Sequence, residues 1–125
     1  MFQDAVNEML ASGRVVNAVI IGLDGSILAI SPQFQVSPQE AQAMVAGIAD
    51  PSLFQAAGIY LNGVKYMCLR AMPDEEVNGK KGPSGLYAVC SNTAIAVGVH
   101  DEKTLPAECS VEVHKQADKL REQGY

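Results

Sequence analysis

The sequence predicts an α+β domain: an antiparallel sheet with helices packed on its faces. Three observations carry this. Apolar residues recur at helical spacing in the first dozen residues, in one early segment and in the closing stretch. Between them lie short β-branched runs, and two-residue turns of the hairpin type, Asp24-Gly25 and Asn62-Gly63, join consecutive runs. The resulting order of helix, hairpin, helix, strand meander and helix fits a sheet covered by helices.

Residues 3–11 place Ala5, Val6, Met9 and Leu10 on one helical face, with Gly13 as the stop. Residues 15–23 form an apolar strand that turns at Asp24-Gly25 into a second strand over 26–30. Ser37-Pro38-Gln39-Glu40 combines an N-cap serine, a proline at the first helical position and a glutamate at the capping-box position. The helix it starts runs to about residue 49, and Asp50-Pro51 ends it. Strands follow over 58–61 and 64–71, over 76–79 and 85–90 on either side of a glycine-rich basic loop, and over 94–100 after the turn Ser91-Asn92-Thr93. A polar connection over 101–105 leads into a last amphipathic helix, 106–123, with Val113, Ala117 and Leu120 on its apolar stripe.

With 125 residues, 48% hydrophobic and 18% charged, the chain is expected to form one domain, residues 1–125, with a core that needs no staple. A net charge of -5 disfavours nucleic acid as a partner. No apolar run is long enough to span a membrane. The first thirteen residues are acidic and amphipathic, unlike a secretory signal. Cys68, Cys90 and Cys109 form no CxxC pair and read as free thiols of a reducing compartment.

Little here suggests catalysis. His100 and His114 stand among acidic and basic neighbours, where surface positions are expected, and neither has metal-ligand spacing to a cysteine. Asp74-Glu75-Glu76 reads as a solvated acidic loop, and the glycines of 79–85 do not match a P-loop. The expectation is a binding protein with no catalytic residue, cofactor or metal. Lys80 and Lys81, in the loop 79–85, are the outstanding candidates for contact with an acidic surface or phosphoinositide headgroups; the bland reading is a soluble hairpin end.

Several blocks, in order, resemble the profilin family: residues 18–26, 34–40, Gly63-Val64-Lys65-Tyr66, Gly79-Lys80-Lys81-Gly82, Asp101-Glu102-Lys103 and Leu120-Arg121-Glu122-Gln123-Gly124-Tyr125. The third and fourth are most similar to plant and protozoan members. The resemblance implies a profilin-like sheet with the terminal helices on one face and shorter helical elements on the other. It implies a cytoplasmic, cytoskeletal monomer that captures monomeric actin one-to-one at its barbed face and regulates polymerisation. The actin contacts it implies are Lys65, Arg70, Lys80, Lys81, Asn92, His100, Glu102, Lys103, Glu112 and Lys115. Phosphoinositide contacts would fall on Lys80, Lys81 and Arg121.

The family's aromatic platform for proline-rich segments is degenerate. Its positions read Phe2, Leu28, Leu120 and Tyr125, with Ala5 and Lys119 where further rings are usual, and the chain has no tryptophan. Weak or absent polyproline binding is expected. The alternatives are a divergent profilin that acts through phosphoinositides or other partners with little actin binding, and a roadblock/longin-like scaffold, which shares the opening helix and hairpin.

Overall fold

Seven antiparallel strands form one sheet in the order β2-β1-β7-β6-β5-β4-β3 in the computed structural model, which describes residues 2–125. In chain order the elements are α1 (Phe2–Ala11), β1 (Asn17–Gly22), β2 (Ile27–Ile30), α2 (Pro38–Ala49), α3 (Ser52–Ala57), β3 (Ile59–Leu61), β4 (Val64–Met72), β5 (Glu76–Lys81), β6 (Ser84–Cys90), β7 (Ala94–His100) and α4 (Pro106–Glu122). Helices α1 and α4 cover one face of the sheet, and α2 and α3 lie on the other, as expected.

The alternation of side chains along each strand supplies two cores. Ala18 and Ile20 of β1 join Val6, Met9, Val113 and Leu120 under the terminal helices. Val19 and Ile21, their neighbours, join Met44, Ile48, Phe54 and Leu86 beneath α2 and α3. Strand β7 is buried from end to end because it lies between covered faces. Gly98 allows α4 to approach it: a Cβ there would lie 2.5 Å from Val113 Cγ2.

The start of α2 follows the capping-box expectation. Glu40 N–H donates to Ser37 Oγ at 3.1 Å, and Ser37 N–H donates to Glu40 Oε1 at 3.0 Å. The same carboxylate reaches out of the helix. It accepts the N–H groups of Asn62 and Gly63, each at 2.9 Å, and so fastens α2 to the β3–β4 turn. Asn62 and Gly63 both have positive φ, as a type I′ hairpin requires.

Three local expectations change. Pro51 ends α2 but also opens α3: its ring fixes φ near the helical value, and proline is tolerated where a helix begins. Strand β5 continues to Lys81 and β6 begins at Ser84, so the turn between them is only Gly82-Pro83 and the lysines belong to the strand. His100, expected on the surface, is 3% exposed, because β7 carries it under the start of α4.

The cysteines are free, as expected; Cys90 and Cys109 are buried and Cys68 is half-buried. Burial, with Asp74 nearby, pushes the Cys90 thiol from 9.0 up to about 11. Burial, with Glu112 nearby, pushes Cys109 up to about 12. Burial also raises Cys68. In the native protein a disulfide-type thiol reagent at about pH 8 is expected to label at most Cys68, with all three labelled in denaturant. Raised folded values mean that the unfolded chain loses thiol protons first as pH climbs. These thiols stabilise the fold fully below pH 9.0, and that contribution is lost progressively from there towards about 12. Denaturant midpoints measured across that interval are expected to fall, and to fall less steeply in Cys109→Ala.

Candidate functional site

Helix α4 lies over β6 and β7 and leaves the same face of β4 and β5 uncovered. Register places the residues of this open face in rows. Met67, Lys80, Gly85 and His100 are successive partners across β4, β5, β6 and β7. The next row is Arg70, Asn78, Tyr87 and Gly98. A bulge between Cys68 and Arg70 inserts Leu69 between them.

At the His100 end of these rows a groove of about 350 Å3 opens between the β5–β6 turn and the start of α4. Leu69, Lys80, Ser84, His100, Glu102 and Leu105 are among its lining residues. The His100 ring is held at one nitrogen: Nδ1 lies 3.1 Å from the carbonyl oxygen of Asp101, which only accepts, so Nδ1 carries the proton. In the neutral ring this leaves Nε2 as an acceptor. Gly85 keeps that nitrogen uncovered, since a Cβ at that position would lie 2.7 Å from it.

Around the groove the surface is apolar at its centre, and its margin carries several cations together with the exposed carboxylate of Glu102. Met67, Leu69, Leu105 and Val111 are at least half exposed, Met67 and Leu105 the most, at 61% and 67%. Lys65, Arg70, Lys80, Lys103 and Lys115 are exposed cations from β4, β5, the β7–α4 connection and α4. His114, half-buried on α4, bridges to the sheet: Nδ1 donates to the Ser110 carbonyl at 2.8 Å, and Nε2 lies 3.3 Å from Glu76 Oε2 of β5. The apolar residues Met67, Leu69, Leu105 and Val111 are not among the contacts expected from the sequence: Met67 and Leu69 fall within an expected strand, Leu105 in the polar connection, and Val111 off the apolar stripe of the last helix. The bulge exposes Leu69 and the limited reach of α4 exposes Met67, whereas Leu105 stands at the N-cap position of α4 and Val111 lies on its uncovered side.

Some residues expected at one site lie elsewhere. Lys81 follows Lys80 in a strand and so faces the opposite side of the sheet, the side of Val77 and Gly79. Asn92 lies in the β6–β7 turn, at the far end of β7 from His100. Glu112 is 4% exposed and accepts from Gln116 Nε2 at 2.9 Å, so its carboxylate is turned into the protein and not onto the open face. Arg121 is engaged by the Asp118 carboxylate and the Cys90 carbonyl. Cys90 ends β6, whereas the Lys80 partner Gly85 stands near its beginning. Lys80, Lys81 and Arg121 therefore form no common anion patch.

At the other end of the terminal helices, Phe2 and Tyr125 meet edge to face with ring centroids 5.1 Å apart. Leu28 is exposed in a bulge of β2, its Cδ1 3.6 Å from the position of a Cβ on Gly22, but Leu120 is buried in the core. Beside them the cleft between α1 and α4 is polar, lined by Glu8, Gln116, Lys119 and Gln123. Lys119 Nζ donates to Glu8 Oε1 at 2.6 Å, and this bond holds the ammonium above the usual lysine range. Among the described residues no group of histidine, cysteine and acidic side chains has the geometry of a metal site, and no helix is long and apolar enough to cross a membrane.

Comparison with solved structures finds close likenesses over the whole chain. Acanthamoeba castellanii profilin IB is 37% identical, with all of both chains covered and a TM-score of 0.95. Schizosaccharomyces pombe profilin is 35% identical, again with full coverage, at a TM-score of 0.94. LokiProfilin2, solved in complex with rabbit actin, shares the fold at 16% identity and a TM-score of 0.79, with 95% of this chain and 94% of that one covered. The profilin family model matches residues 1–125. The roadblock/longin alternative is thereby set aside, and the chain belongs to the profilin family.

Proposed function

We propose that this chain acts as a single binding domain that reversibly captures one actin monomer on the open face of β4 and β5, the groove at His100 and the adjoining flank of α4. The observation that carries this reading is an exposed apolar centre, Met67, Leu69 and Leu105, ringed by Lys65, Arg70, Lys80 and Lys103. An apolar patch inside a charged rim is the anatomy of a protein-binding surface. The cations suit an acidic partner such as actin and speed its encounter. Kinship to LokiProfilin2, solved with actin, adds fold-level support. His100 acts from the groove wall, Glu102 and Lys115 from its margins. Lys81, Asn92 and Glu112 lie outside the contact.

Capture at the barbed face would suppress nucleation and pointed-end addition while allowing delivery to barbed ends, in the cytoplasm and without catalysis by this chain. The test is suppression of spontaneous actin assembly. Full suppression at stoichiometric protein supports the reading, and assembly unchanged at high excess sinks it.

The polar cleft between α1 and α4 supports weak or absent polyproline binding. Phe2 and Tyr125 offer one ring pair, and the Lys119–Glu8 bond fills the adjoining surface with charge. Proline-rich ligands dock between several rings because the ligand is already ordered. Calorimetric titration with decaproline is expected to give a Kd weaker than about 1 mM, or some 4 kcal/mol of binding energy. Low-micromolar binding would show that the two rings suffice. Phosphoinositide binding through Lys80, Lys81 and Arg121 together receives no support from their dispersed positions.

A further inference from the structure

A second groove opens at the β3 edge of the sheet, and the two grooves share no lining residue. It measures about 290 Å3 and is lined by Met44 and Ala46 of α2, Leu53 and Phe54 of α3, and Ile59 and Tyr60 of β3, among others. Its walls are firm. A Cβ at Gly47 would collide with the Phe54 ring, so α2 and α3 are packed as closely as a glycine permits. Leu53 and Tyr60 stand exposed at its rim.

Strand β3 has a neighbour on one side only. The two-residue turn Asn62-Gly63 makes Leu61 and Val64 the hydrogen-bonded pair that closes the hairpin. Pairs alternate along an antiparallel ladder, so Tyr60 and Lys65 form the non-hydrogen-bonded pair. The Tyr60 N–H and C=O consequently point away from β4, off the sheet edge. One outward donor and one outward acceptor thus adjoin an apolar groove. Glu40 is the one lining residue, among those described, with a formal charge, and the chain as a whole carries -5.

We infer that this edge receives an extended segment of a partner protein, apolar at alternate positions and carrying a lysine or arginine. Main-chain hydrogen bonds to Tyr60 align the segment, and every second side chain enters the groove, as in strand addition to a sheet edge. The basic residue meets the charge of Glu40. The oxygens of that carboxylate already accept three N–H groups, so the attraction is through space and adds no further bond that the fold depends on. An acidic segment or a second copy of this acidic chain lacks that complementarity.

The test titrates the isotope-labelled protein with acetyl-Arg-Val-Ile-Val-Gly-amide and follows its amide resonances. Saturable shifts are expected, largest at Tyr60 and its neighbours. Leu53→Lys and Ala46→Trp, both at exposed positions, are expected to weaken binding about tenfold without disturbing the rest of the spectrum. Exchanging the peptide's arginine for glutamate is expected to weaken it about fivefold, and Lys80→Glu to leave it unchanged. Three results would each overturn the inference: no shifts at millimolar peptide, equal affinity for the acidic peptide, or shifts at Tyr60 that follow protein concentration without peptide. The last would assign the edge to self-association. Because none of these readouts involves actin, the edge site and the actin face can fail independently.

Discussion

Lys80→Glu is expected to abolish most of the suppression of actin assembly, while Lys81→Glu leaves it almost intact. The two residues are adjacent and chemically identical, and only the strand separates them. Lys80 shares a row with Met67, Gly85 and His100 and lines both the His100 groove and the neighbouring hollow beside α3. Lys81 pairs with Ser84 at the end of the hairpin and faces the other side. Reversing Lys80 puts a carboxylate beside the apolar centre and opposite an acidic partner. The cost is put at 10- to 100-fold in affinity, about 1.4 to 2.8 kcal/mol, against less than about threefold for Lys81. Measuring actin-monomer affinity for both single variants decides the matter. Equal losses would mean that the partner engages the hairpin tip from both sides, and the proposed face would have to move.

Glu40→Ala is expected to give the largest loss of stability from a single exposed-to-intermediate site, with actin binding retained. One carboxylate accepts from Ser37, Asn62 and Gly63, and so joins the start of α2 to the β3–β4 hairpin. Removing it leaves three N–H donors to find water and breaks the reciprocal cap. Hydrogen bonds to a charged acceptor and a lost cap together suggest about 3 kcal/mol, and a Tm about 10 °C lower. Glu40→Gln, which keeps an oxygen but not the charge, should lose less. A thermal melt of the three proteins tests this. A change of under about 0.5 kcal/mol for the alanine variant would show that solvent replaces all three bonds at no net cost.

Much of the fold was legible because its signals are local. The Ser37–Glu40 box, the Asn62-Gly63 turn and the apolar stripe of α4 each lie within a few residues of the structure they specify, and Asp24-Gly25 marks a turn that closes over residues 23–26 instead of two. What escaped depends on other parts of the chain. The glycines of residues 79–85 suggest a broad loop, yet pairing with β4 and β6 extends the strands until only Gly82-Pro83 is left to turn. That pairing sends two adjacent lysines to opposite faces. His100 and Glu112 have the composition of surface residues, but the placement of α4 over β7 buries both. Conversely, Leu69 is pushed outward by a bulge that no short-range pattern announces. Candidate contacts could thus be collected from the sequence by family pattern, but the side of the sheet on which each stands came from register.

The main-chain oxygen of Tyr125 accepts from Thr93 N–H at 2.5 Å and from the hydroxyls of Ser91 and Thr93, each at 2.9 Å, and its N–H donates to Leu120 at 2.8 Å. A helix end ordinarily frays, opening turn by turn for a small fraction of the global unfolding energy. Here the end of α4 is clasped to the turn that joins two central strands, so it cannot loosen without disturbing them. In amide exchange, residues 120–124 should therefore behave as part of the sheet's cooperative unit, slower than the first turn of α1. Removing the two hydroxyls with Thr93→Val and Ser91→Ala leaves only the Thr93 N–H bond on that oxygen, and should speed exchange at residues 120–124 while the centre of β7 stays protected.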